Sequence, residues 1–64
     1  MDYYHRVVRQ LEEAGCKRIA IVRDGVEGWE SPRTGERFLV DNPIRSLDNG
    51  NNILRNAGCA PVLK

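Results

Sequence analysis

Few side chains in this sequence can move a proton or hold a phosphate, and they are spread along the chain. His5 is the only histidine, and imidazole titrates nearest to neutrality. Glu27, in the stretch "DGVEGWESPRTGERF", can act as a base only if burial or neighbours raise its pKa, whereas the short strand it occupies should turn it toward solvent. Acid–base catalysis needs a base to take a proton and an acid to return one, both within reach of the reacting atoms. His5 and Glu27 are therefore the two candidate catalytic residues. Tyr3 and Tyr4 open an amphipathic segment, where aromatics either stack on bases and donate a proton or form core and rim. Arg23, Arg33 and Arg37 gather around the glycine-bearing stretch and Arg45 follows it, a candidate RNA-binding set able to track phosphates without reading bases. Asp24, Glu27, Glu30 and Glu36 lie among them and offer a simpler outcome, pairing across strands.

Composition excludes more than it selects. With 64 residues the chain forms one small domain, residues 1–64, too short for a large internal substrate cavity. Ten basic and nine acidic residues leave a net charge of +1, so nothing global demands a nucleic acid or an anionic membrane. Cys16 and Cys59 each follow an Ala-Gly pair and have no nearby His or Cys, so no metal site and no cofactor is implied. A disulfide would require two helix ends to meet, and no signal-peptide pattern argues for an oxidising compartment. Both cysteines are read as small buried apolar residues. The longest apolar run, within "RIAIVR", is far too short to span a membrane, and a soluble, cytoplasmic protein is expected.

The elements that must position these residues follow from periodicity. Tyr4, Val7, Val8, Leu11 and Ala14 fall on one helical face, with Asp2 as the cap and Gly15 as the stop. "KRIAIVR" predicts a strand over Arg18 to Arg23, with Ile19 and Ile21 on one face and Ala20 and Val22 on the other. Asp24-Gly25 marks a turn into a second strand, Val26 to Ser31, with Trp29 as core anchor. "SPRTGE" is a hairpin loop leading to a third strand, Glu36 to Val40, with Phe38 and Val40 on one face. "DNPIRS" is a loop. Asp48 to Ala57 is the last helix, with Asp48 as candidate cap and Leu47, Gly50, Ile53, Leu54 and Ala57 at helical spacing. "CAPVLK" is expected to be irregular and partly mobile.

The fold class is therefore α+β, in the order α-β-β-β-α: a three-stranded antiparallel meander with two helices on one face. This order, together with "WESPRTGERFLV" and the closing "ILRNAGC", resembles the HicA family, also called YcfA-like. These are small toxins with a double-stranded-RNA-binding-like fold that cleave messenger RNA and are neutralised by a HicB-type antitoxin. The resemblance runs from "LEEAGC" to "ILRNAGC". It implies an endoribonuclease, with RNA and a HicB-like antitoxin as partners. The family's catalytic histidine stands about three residues before the hairpin aromatic; here that position is Val26, flanked by Gly25 and Glu27. The chain departs also at "DNPIRS", where the family has Pro and often His, at "DNGNN", where the family has Gly-Thr, and in being less basic. The functional expectation is a HicA-like RNA-binding toxin or a catalytically degenerate relative. The alternative is a non-catalytic protein-interaction module using the free sheet face or an edge strand.

Overall fold

Apolar residues four apart make the first helix amphipathic, and α1 (Tyr4–Glu13) buries Val7 and Leu11 along one side. The computed structural model describes residues 2–64. After α1 come β1 (Lys17–Arg23), β2 (Val26–Glu30), β3 (Arg37–Asp41) and α2 (Leu47–Asn56), the expected order. Asp2 serves α1 from just outside the N-cap position, which Tyr3 occupies. Its Oδ1 accepts the Tyr4 amide at 2.9 Å and the Ile44 amide at 2.9 Å. The Tyr3 amide in turn donates to the Ile44 carbonyl at 2.8 Å. One carboxylate thus ties the helix start to the loop after β3, and Ile44 is driven fully into the core.

The three strands form one antiparallel sheet in the order β1-β2-β3. Trp29 stands opposite Phe38 and Glu27 opposite Val40, and all four are buried beneath the helices. Gly28 and Leu39 pair on the other face, where Leu39 is 53% exposed. The shortest extent of the molecule, 15 Å, accommodates a sheet and one layer of helices and nothing more.

β1 departs from the simple alternation predicted for it. Irregularities between Arg18 and Ala20, and again between Ile21 and Arg23, insert Ile19 and Val22 as extra residues, placing Arg18 opposite Trp29 and Ile21 opposite Glu27. Every residue of β1 is exposed. The cause is the position of the helix layer: α1 packs on α2 and α2 on β3, so β1 projects beyond the cover.

At α2 the cap is Ser46, not Asp48: its Oγ accepts the Asn49 amide at 3.0 Å, while Asp48 lies in the first turn. The C-terminal tail is irregular but anchored. Asn51 accepts the Leu63 amide at 3.0 Å and donates to the Leu63 carbonyl at 3.2 Å. Leu63 is buried, 6% exposed, over Gly50, where a Cβ would collide with its side chain and approach Val7 to 3.2 Å. Among the described residues, no helix is long and apolar enough to cross a membrane.

Candidate functional site

The alternation of β2 puts Glu27 and Trp29 on the helix-covered face, and the first turn of α1 carries Tyr4 over them. Glu27 is 6% exposed, so it does not face solvent as the sequence suggested. The Tyr4 hydroxyl lies 2.8 and 2.7 Å from its two carboxylate oxygens. Trp29 Nε1 donates to Oε1 at 3.0 Å, and Arg18 Nη1 is 3.5 Å from Oε2. Apolar packing around Trp29 wins over solvation of one carboxylate because these donors replace its water. In exchange Glu27 satisfies the polar ends of two aromatic core residues, and no buried side-chain polar atom among the described residues lacks a partner. Burial, then the hydrogen bond and charge of Glu27, raise the Tyr4 phenol above its ordinary pKa. Tyr4 therefore holds its proton firmly.

His5, the other candidate base, is exposed on α1. Its ring sits edge-on to that of Tyr4, centroids 5.4 Å apart at 75°. Both sequence candidates thus touch Tyr4, His5 at the ring and Glu27 at the hydroxyl. An open groove of about 410 Å³ is lined by Tyr4, Val8, Glu12, Cys16, Lys17, Arg18 and Trp29. It offers two cations, an aromatic edge and the exposed carboxylate of Glu12.

The four candidate phosphate contacts are dispersed. Arg23 pairs with Val26 and Arg37 with Glu30, at opposite ends of β2, about 13 Å apart along the strand. Both lie on the uncovered face. Arg37 Nε is 3.7 Å from Glu30, the cross-strand pairing expected of these charges, and Lys17 flanks Glu30 from the other side. Arg33, in the hairpin loop, donates to the Gly58 carbonyl at 3.4 Å. Arg45 lies in the loop beside Asp2, whose carboxyl it helps to lower after the Ile44 and Tyr4 amides. Val26, where the family resemblance places a histidine, is half-buried on the uncovered face opposite Asp41. The apolar centre of that face is Ala20, Val22 and Leu39 around Gly28.

Sequence reasoning missed Arg18 and Lys17, the two cations of the groove. The i, i+2 spacing of Glu27 and Trp29 already put the carboxylate on the core face; only its charge argued otherwise. Among the described residues no group of His, Cys, Asp and Glu could hold a metal ion. A scan against protein-family models and searches of curated proteins and of solved structures each returned no match to this chain.

Proposed function

We propose that this chain is a HicA-like small RNA-binding protein with a double-stranded-RNA-binding-like fold. Its role is that of a messenger-RNA interferase toxin in a toxin-antitoxin pair, or of a catalytically degenerate relative. The observation that carries the reading is the uncovered sheet face. It is bordered by Lys17, Arg23 and Arg37, in a chain of α-β-β-β-α order whose "WESPRTGERFLV" segment resembles the family's hairpin. Cations spaced along a flat face suit backbone phosphates rather than base edges. Any cleavage draws its proton transfer from His5 or from the Tyr4–Glu27 pair, which adjoin one another at Tyr4.

Binding of messenger RNA by the purified protein, measured over a salt series, tests this. The expected result is an affinity that falls with salt, with Lys17→Ala and Arg37→Ala each lowering the slope by about one. His5→Ala and Tyr4→Phe, assayed for cleavage, assign the chemistry. Absence of RNA binding together with absence of growth arrest on expression overturns the proposal.

A second reading, a non-catalytic interaction module, is favoured by one feature. β1 is an edge strand with Ile19, Ile21 and Val22 exposed at 45%, 68% and 56%, and it carries Lys17, Arg18 and Arg23 without an acidic residue. Such an edge suits an acidic extended segment of a partner, the HicB-like antitoxin in the first reading. Loss of partner capture in Ile21→Lys, with RNA binding intact, would assign the edge to protein contacts.

A further inference from the structure

The two cysteines occupy one repeated motif. Ala-Gly-Cys follows α1 at residues 14–16 and α2 at residues 57–59, and in both the glycine has a positive φ, 86° at Gly15 and 79° at Gly58. In both the cysteine amide donates back into its helix, Cys16 to the Leu11 carbonyl at 2.9 Å and Cys59 to the Leu54 carbonyl at 2.8 Å. The chain therefore leaves each helix by the same turn. The two ends converge on one hairpin loop: a Cβ at Gly15 would lie 3.3 Å from Pro32, and one at Gly58 would lie 3.6 Å from Thr34. Ser31, at the start of that loop, donates from its Oγ to the Ala57 carbonyl at 2.8 Å, and Cys59 packs against the buried cluster that contains Cys16. Both are free; Cys16 is buried and Cys59 half-buried. Cys59 lines a shallow pocket with Gln10, Glu13, Ala14 and Arg33, open to a small solute. The sequence condition for a disulfide, that two helix ends meet, is met.

We propose that Cys16 and Cys59 are a dithiol that closes to a disulfide on meeting a low-molecular-weight disulfide of the glutathione type, locking the C-terminal ends of α1 and α2 together. The half-buried Cys59 thiolate attacks one sulfur of the reagent, whose S–S bond breaks to release one thiolate that takes up a proton. Cys16, deprotonated in turn, attacks the Cys59 sulfur of the mixed disulfide and expels the second thiol. Two protein thiols and one reagent disulfide thus become one protein disulfide and two reagent thiols. Burial and the adjacent Cys16 hold the Cys59 thiol above its ordinary pKa, against the pull of Arg33. Exchange is accordingly slow at neutral pH and quickens toward tenfold per pH unit as the solution becomes alkaline.

Incubating the reduced chain with oxidised glutathione at alkaline pH, alkylating it in denaturant and weighing it tests the proposal. The expected product is a monomer lighter by two hydrogens, unalkylated, with a linked peptide pair containing Cys16 and Cys59. Its Tm rises by roughly 10 °C and returns on reduction. Cys16→Ala should stop at a glutathione adduct on Cys59, and Cys59→Ala should leave Cys16 unmodified in the folded chain. A persistent adduct on the unaltered chain, a disulfide-linked dimer, two thiols still free, or a closed disulfide without a rise in Tm would each overturn it. The primary readout uses the unaltered sequence, so it does not depend on either variant folding.

Discussion

The Tyr4–Glu27–Trp29 contact makes one carboxylate the partner of two aromatic polar atoms, and removing it leaves both unpaired in the core. Glu27→Ala should therefore cost about 2–4 kcal/mol in urea denaturation, and Tyr4→Phe about 1–2 kcal/mol. Arg18→Ala should cost less than about 1 kcal/mol, because its side chain is 54% exposed and water screens the pair. Equal losses for Glu27→Ala and Arg18→Ala would contradict this ordering. The pH dependence has two signs. The Tyr4 pKa is raised in the folded chain, so its contribution is complete below the ordinary tyrosine value and is lost as pH rises through the folded value. The Asp2 pKa is lowered by the Ile44 and Tyr4 amides, so its contribution is present above the ordinary carboxyl value and disappears as pH falls through the folded one. The Ile44 amide resonance should report this directly, titrating with a midpoint below 3.8, and a midpoint at or above it would refute the contact. Of these residues the sequence showed that Asp2 serves the start of α1, though from one position outside the cap, and that Trp29 is an anchor. It could not show that a hydroxyl 23 residues away compensates the burial of Glu27, because such a partner belongs to no local pattern.

At the scale of elements, α2 begins with residues that form helices poorly, and the reason lies outside the helix. Gly50 admits Leu63, Asn51 holds the backbone of Leu63, and Asn49 donates to Asp41 at 3.0 Å. Leu63→Ala should destabilise by about 2–4 kcal/mol, a core truncation in a segment without regular structure. Gly50→Ala gains helix propensity of about 1 kcal/mol, yet it should destabilise, since its methyl group displaces Leu63. In the Leu63→Ala background the same change should become neutral or stabilising, and additive effects in this cycle would disprove the contact. On β1 the reverse holds: Ile19→Lys and Ile21→Lys should alter stability by less than about 0.5 kcal/mol, because both side chains already face water. Element order and type were legible because helical and alternating periods are local. The bulges of β1 and the burial of Leu63 were not, since each depends on where a distant element lies.

For the whole molecule, one layer of helices over three strands leaves a sheet face and an edge strand uncovered. The uncovered face intersperses Lys17, Arg23 and Arg37 with Glu30 and Asp41, so the RNA affinity proposed for it should be modest and fall with salt. Reversing Glu30 to Lys should tighten binding at low salt, since it removes the acid that neutralises Arg37. Unchanged affinity in that variant would place RNA elsewhere, with the Arg18–Lys17 groove as the next surface to probe. The four arginines singled out in sequence are near one another along the chain but border the molecule at different places, because a hairpin sends its ends and its loop in opposite directions. The sequence by itself determined the helices, the strands, their order, most of the core and the absence of metal-ligand spacing, all set by local periods, turn residues and composition. Only the tertiary structure decided that Glu27 is inside, that β1 is bare, that Leu63 completes the core and that the ends of α1 and α2 converge on one hairpin loop. Each of these depends on two segments distant in sequence sharing one volume, which chain connectivity permits and packing alone selects.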